Sequence, residues 1–455
     1  MFRKFTDACV SMVQKYLPDP FLFCIILTGI TLLMAIPLTG QGFFQMTVHW
    51  GNGFWGLLMF SMQMALVLVL GNAMATSPPV SKLLRFLASI PKTPTAAIMM
   101  VTIVSYIASW INWGFGLVVG ALYAREIAKL GKRFDYRLLI ASAYTGFLSW
   151  HGGLSGSVPL MIASYNDTVK AQTGGVLTAS IPIQDTIFRP YNIVILVGLL
   201  ILMPIVNAKM HPRDEDVVLI NPELLKEDEF VPEKSTTPAT WMENSRLLSL
   251  FVVFLGGVVL YNYFSKSGFA ALNLNTVNLL FLIVGVLLHG TPIRYVRAIN
   301  KGVAGAGGIL LQFPFYGGIM GMMSGLNPET GLSLAKVISD AFAAVSTPQT
   351  WPFLSFLSCT FINLFIPSGG GQWAVQGPII MPAGQTLGVA PAITAMSYVW
   401  GDSWTNMIQP FWALPALGIA GLGARDIMGF CVVALFASGI IIWSVFLLVG
   451  FGFLV

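Results

Sequence analysis

Charge is scarce in this chain. Asp, Glu, Lys and Arg make up 9% of its 455 residues, where soluble domains carry roughly 25%. With 56% of the residues hydrophobic, such a chain cannot cover its surface with water-compatible groups and is expected to be an integral protein of a lipid bilayer. Cysteine is sparse too. Cys9, Cys24, Cys359 and Cys431 lie far apart, which excludes a clustered metal site or redox pair and leaves them as packing residues. The chain lacks H-E-x-x-H, a phosphate-binding loop and a dinucleotide fingerprint. ATP-driven transport by this chain alone is therefore not expected, and neither a metal nor an organic cofactor is expected.

What charge there is carries information by its position. The net +5 does not point to nucleic acid, because the cations fall in clusters at 1–20, 77–95, 125–137, 209–246, 290–302 and Arg425. Under the positive-inside rule these clusters mark cytoplasmic loops. The remaining cations, Lys170, Arg189, Lys266 and Lys336, fall in the intervening loops.

Apolar runs at 21–38, 54–76, 190–208, 246–264, 275–289, 303–324 and 427–452 are mostly long enough to cross a hydrocarbon core of about 30 Å as helices. The run at 275–289 is short. No cleavage site of small residues follows the first run, which is read as a retained span. If every run were a full span, the cations of 125–137 would be stranded outside. A re-entrant hairpin at 96–130, entering from the cytoplasm and turning at Asn112 to Gly116, resolves this. A second hairpin at 349–388, turning at Pro367 to Gly371, would enter from outside. The spans 136–163 and 391–422 follow the two hairpins.

The expected architecture is an all-α polytopic membrane protein of nine full spans and two re-entrant hairpins, with its N-terminus cytoplasmic. The starts 21, 54, 96 and 136 match 275, 303, 349 and 391 at offsets of 249 to 255. The chain thus divides into a first repeat over 1–208, a cytoplasmic linker over 209–245, a linking helix and loop over 246–274, and a second repeat over 275–455. The two repeats begin on opposite sides, the inverted arrangement that lets one site face either side.

The polar breaks match as well. Ile111-Asn112-Trp113-Gly114-Phe115-Gly116 and Ser149-Trp150-His151-Gly152-Gly153 in the first half correspond to Ile362-Asn363 with Pro367-Ser368-Gly369-Gly370-Gly371 and Gly401-Asp402-Ser403-Trp404 in the second. Asn112 and Asn363 are 251 apart, as are His151 and Asp402. Non-helical backbone at membrane depth is tolerated only where protein or a polar cavity satisfies it, so paired breaks point to a substrate site.

Substrate-binding candidates are the tip residues Asn112, Gly114, Gly116, Asn363, Ser368, Gly369, Gly370, Gly371 and Gln372, together with Ser149 and Trp404. Ser155 and Ser157 belong to the same break as Ser149. A tip can present free amides at a half-helix start, where an anion is favoured. With no Lys or Arg expected at depth, a small monocarboxylate fits better than a dicarboxylate or phosphate. Trp113, Trp150, Trp373, Trp404 and Trp412 could wall an apolar acyl tail. The alternative for the glycines is helix packing, and for the tryptophans ordinary aromatic packing or an interfacial belt.

Under this threading Asp402 is the one acid at membrane depth, where an ionisable group is a functional candidate by default. Its partner by offset is His151, suited to proton exchange near neutral pH. Coupling-ion candidates are Asp402, His151, Ser403, Thr405 and Asn406, for a proton or a sodium ion. The structural alternative has Asp402 capping the half-helix after it and His151 packing on a neighbour. His289 reads as interfacial, and His49 and His211 as loop residues. An out-of-class reading is an intramembrane hydrolase, with Ser155 of Gly153-Leu154-Ser155-Gly156 as nucleophile and His289 as base.

At these breaks the sequence resembles the bacterial short-chain fatty acid transporter family. The likeness is carried by Leu17-Pro18-Asp19-Pro20, Trp50 to Trp55 (WGNGFW), Ile111 to Gly120 (INWGFGLVVG), Pro367 to Pro378 (PSGGGQWAVQGP), Gln409 to Pro415 (QPFWALP), Gly421-Leu422-Gly423 and Arg425 to Gly429 (RDIMG). It runs from near residue 16 to near 440. The resemblance implies a secondary transporter, an acetoacetate and butyrate permease or symporter of the bacterial inner membrane. More distantly the hairpins resemble those of the ion-transporter superfamily that includes sodium/dicarboxylate symporters, and a homodimer is expected by that analogy. Proton coupling is the first reading and a sodium-coupled carboxylate symporter the second.

Overall fold

Backbone amides cannot turn to water inside a bilayer, so an apolar chain closes its hydrogen bonds by coiling. The computed structural model describes residues 20–130, 134–221, 236–363 and 368–455, and among them every regular element is an α- or 3-10 helix. Six stretches there are long and apolar enough to cross a membrane: Leu58–Ala75, Pro94–Ile111, Pro190–Lys209, Arg246–Ser267, Pro292–Ser324 and Ala424–Gly450. Cys24–Thr39 and Leu274–His289 are apolar but shorter. The protein is thus an α-helical membrane protein.

Local signals set the helix boundaries. Thr93 accepts the Ala96 amide at 3.2 Å ahead of Pro94, as an N-cap followed by proline should. Asn273 caps Leu274–His289, and Gly290 ends it in the left-handed conformation at φ +75°.

The kinds of element recur. From Pro20 they run apolar helix (Pro20–Thr39), Phe43–Phe54, apolar helix (Leu58–Ala75), short helix (Pro78–Ala88), a hairpin of Pro94–Ile111 and Trp113–Ala128, a broken helix, and Pro190–Lys209. From Leu274 the same order holds: Leu274–His289, Pro292–Val303, Gly307–Ser324, Leu334–Ala344, the pair Trp351–Asn363 and Gly369–Thr386, a broken helix, and Ala424–Gly450. The first broken helix is Tyr136–Thr145 with a 3-10 turn Gly146–Ser149, an open stretch, then Ser157–Ile162. The second is Pro391–Thr405, an open stretch, the 3-10 turn Pro410–Ala413 and Leu414–Ala420. Arg246–Ser267 stands between the two series and is only 17% buried, as a helix facing lipid would be.

Small residues bring the two series together. The helix Phe43–Phe54 lies on Gly307–Ser324 so closely that a Cβ on Gly53 would sit 2.4 Å from the Gly317 carbonyl, and one on Gly321 would sit 2.3 Å from the His49 carbonyl. This is the small-residue contact typical of membrane helices.

Several expectations are corrected. His49 lies within the helix Phe43–Phe54, not in a loop, and its Nε2 meets Gln41 at 2.9 Å. His289 ends the helix Leu274–His289, buried within the protein, and faces the Ala73 carbonyl at 2.7 Å. Asp402 is no N-cap: it sits in the last turn of Pro391–Thr405, where the helix dipole opposes a negative charge, because the break falls after Thr405. The expected turn at Pro367, residues 1–19 of the first repeat and 222–235 of the linker lie outside the described residues.

Candidate functional site

Each hairpin tip is tied to the broken helix of its own half. Asn112 is at once the last cap of Pro94–Ile111 and the first cap of Trp113–Ala128, with its Oδ1 accepting the Phe115 amide at 2.8 Å. A single extended residue therefore reverses the chain. The tip docks on the first break: the Trp113 amide donates to Ser155 Oγ (2.9 Å), and the Leu154 amide donates to the Trp110 carbonyl (2.7 Å). In the second half, Asn363 Nδ2 reaches the Asp402 carbonyl (3.1 Å), Thr405 Oγ1 (2.8 Å) and Asn406 Oδ1 (3.1 Å). Ser368 opens the other arm by accepting the Gly371 amide at 3.3 Å. The first turn of Gly369–Thr386 thus begins at the tip, with the positive end of an 18-residue helix turned toward it.

The two breaks meet at one pair. His151 Nδ1 lies 2.7 Å from Asp402 Oδ2, and both side chains are wholly buried. On the other side of the ring, the Val158 amide donates to Nε2 at 3.3 Å and Ser157 Oγ lies 3.0 Å away. A ring nitrogen facing an amide N–H must offer its lone pair, so this geometry assigns the proton to Nδ1, donated to Asp402. Asn406 Nδ2 reaches the same carboxylate oxygen at 3.4 Å, while Asp402 Oδ1 has no hydrogen-bond partner.

The second tip closes over this pair. A Cβ on Gly369 would come within 2.6 Å of His151 Cε1 and 3.1 Å of Asp402 Oδ2, so only glycine lets the backbone lie there. Tyr398 OH donates to the Gly369 carbonyl at 2.5 Å and holds the tip in place. Both tips line one small cavity, Trp113 from the first and Ser368, Gly369 and Gly370 from the second. Phe147, Trp150, Phe313 and Trp412 supply most of the remaining wall, and Ser157 brings a hydroxyl to it. The free space is about 10 Å3, room for about one water molecule, so a ligand of several heavy atoms requires the walls to move.

The aromatic wall follows from sequence spacing. Tyr144, Phe147, Trp150 and His151 form a continuous stack with ring centroids 5.8, 5.3 and 4.1 Å apart. Tyr144 anchors it, donating its hydroxyl to the Asn406 carbonyl at 2.7 Å. The 3-10 turn Gly146–Ser149 makes residues three apart eclipse one another, which aligns Phe147 with Trp150.

Other candidates have structural partners instead. Gly114 packs on the Val67-Leu68 backbone, Gly116 on Ser109, and Gly371 on the Tyr316 ring. Ser149 donates to the Tyr106 carbonyl at 2.7 Å, Gln372 bonds Cys359 and Gln376, and Trp404 donates to the Leu435 carbonyl at 2.6 Å. Trp373 packs edge-on against Tyr398. Thr405 donates to Gly401 while accepting from Asn363, and Ser403 is buried with an unpartnered hydroxyl. Phe147, Phe313, Met64 and Tyr398 were not legible as site residues, though the aromatic spacing 144-147-150 carried a usable signal. Ser155 and His289, the pair of the hydrolase reading, are each engaged with backbone, at Trp113 and Ala73.

The family model described as "Short chain fatty acid transporter" matches residues 1–449. A protein of Escherichia coli K12 is 48% identical over 97% of this chain and 98% of its own length, and one of Haemophilus influenzae Rd is 45% identical over 96% and 97%. Both bear the name "Putative short-chain fatty acid transporter". In fold, the chain is similar to the crystal structure of the YdaH transporter of Alcanivorax borkumensis, with a TM-score of 0.60 at 17% identity over 96% of this chain and 99% of that one.

Proposed function

From the premise that this chain belongs to the short-chain fatty acid transporter family, a family of transporters and not enzymes, we propose that it takes up short-chain monocarboxylates such as acetoacetate and butyrate. Uptake runs across the bacterial inner membrane, coupled to protons and operating by alternating access between two inverted repeats. The observation that carries the coupling is the buried His151–Asp402 pair, which joins the two broken helices and leaves Asp402 Oδ1 without a partner.

A buried polar atom without a partner calls for an explanation, and a proton or cation supplies one here. The substrate carboxylate binds at the start of Gly369–Thr386, where helix amides favour an anion, with its acyl tail among Trp113, Trp150 and Trp412. That places two carboxylates on the order of 5 Å apart, a repulsion of about 3 kcal/mol at an effective dielectric near 20. One proton on the pair removes the repulsion, so substrate and proton bind together. Ser157, His151 and Asp402 then form a relay for that proton.

A sodium ion beside Oδ1 would serve the same electrostatic end and is the second reading. Uptake of labelled butyrate into liposomes, with proton and sodium gradients imposed separately, decides between them. Accumulation driven by the proton gradient alone is expected. Accumulation driven only by sodium would move the coupling to the cation, and no uptake under either gradient would remove the substrate.

A further inference from the structure

Beside the second hairpin lies another cavity, with about 100 Å3 of free space against about 10 Å3 at the centre. At its wall stands Gln172, wholly buried, with neither Oε1 nor Nε2 engaged in a hydrogen bond. Leaving a buried amide unpaired costs about 1–3 kcal/mol per group, a penalty that a ligand in the cavity would remove once the wall shifts to bring the wholly buried amide into its reach. Gln172 is firmly placed, because its own carbonyl abuts Gly377 of the hairpin arm, where a Cβ would come within 2.3 Å.

The remaining wall combines neutral polar groups, Thr168 and Asn275 among them, with apolar side chains such as Met161 and Leu274. No Asp, Glu, Lys or Arg lines it. One ring separates this cavity from the centre. Phe60 lines the larger cavity, packs on Gly370 of the tip and lies 5.7 Å from Phe313, and those two residues line the smaller one. The walls come from the start of Leu58–Ala75, the stretch after the first broken helix and the start of Leu274–His289, all of which fall on the outer side in the threading expected from the charge clusters.

We propose that this cavity is a second binding site for a short-chain monocarboxylate, an outer vestibule in which the Gln172 amide donates to the carboxylate. The acyl chain lies against Met161 and Leu274, and displacement of the Phe60 ring passes the ligand to the hairpin tip. The proposal rests on the monocarboxylate reading of the central site. A neutral amide holds an anion weakly enough to release it inward, as a vestibule requires.

Equilibrium binding of labelled butyrate to the purified full-length protein tests it. The wild type is expected to bind two per chain and Gln172→Leu one. In uptake the variant is expected to show a KM raised about tenfold, the worth of one hydrogen bond to a charged group, with its maximal rate kept. Should Gln172→Leu fail to fold, Thr168→Cys supplies an independent readout, because butyrate in the vestibule must slow maleimide labelling of the substituted cysteine. Uptake with one site per chain and unslowed labelling overturns the vestibule and leaves the transport reading standing. No binding and no uptake by the wild type overturns the transport reading and the vestibule with it.

Discussion

A carboxylate sealed from water, with one oxygen bonded to an imidazole and the other to nothing, holds its charge at high cost unless a positive charge is shared with it. Asp402 is in that position, in the last turn of a helix whose dipole gives it no help. Replacing it with Asn keeps the shape and the bond to His151 but removes the charge that a proton would neutralise. Asp402→Asn is therefore expected to abolish proton-driven butyrate accumulation, a fall of at least about tenfold, while leaving gradient-free exchange of labelled for unlabelled butyrate. Full accumulation by this variant in proteoliposomes would remove Asp402 from the coupling. The pairing itself was legible from the shared offset of 251, whereas the role of Ser157 was not singled out. Ser157 reaches Nε2 only because the open stretch 150–156 folds back, a path with no periodic signature.

At the scale of elements, close approach explains which glycines matter. Gly321 lies against the His49 carbonyl at the crossing of Phe43–Phe54 and Gly307–Ser324, whereas a Cβ on Gly257 of Arg246–Ser267 would meet nothing within 4 Å. Gly321→Ala is expected to destabilise the protein by about 1–3 kcal/mol through overpacking. Gly257→Ala should be neutral or slightly stabilising, since alanine is the better helix former. Thermal unfolding of the two purified variants in detergent checks the contrast, and equal melting temperatures would contradict it. The hairpin turns were readable in advance from the polar breaks, Asn112 between the arms and Ser368 before the glycine run, whereas the caps Thr93 and Gly290 emerge only from the structure. The helix Phe43–Phe54 was not, because its sequence lacks a sustained apolar run and its Trp50 to Trp55 stretch finds its reason only in the glycine face of Gly307–Ser324. Gln172 was likewise invisible, since a lone glutamine at the end of the short helix Asp167–Gln172 acquires meaning only from the cavity it lines.

For the whole molecule, the recurring element order and the charge distribution bear on the same question, which face of the protein is inside. The inverted arrangement requires the loops after corresponding elements to lie on opposite sides of the membrane. Pro78–Ala88 and Leu334–Ala344 hold corresponding places in the two series; the loop following the first carries the exposed Lys92, and the first turn of the second helix itself carries the exposed Lys336. Positive-inside reasoning puts the Lys92 cluster in the cytoplasm and leaves Lys336, paired with Asp340 at 3.0 Å, outside. Among the described residues the native cysteines Cys24, Cys359 and Cys431 are buried, so single cysteines introduced at these two lysines, with Cys9 replaced by Ser, should report cleanly. In intact cells a membrane-impermeant maleimide is expected to label Lys336→Cys and spare Lys92→Cys until the membrane is opened. Labelling of both from the same side would mean that the two series are not inverted, and a site reached alternately from two faces would then need a motion other than the exchange of two mirrored halves.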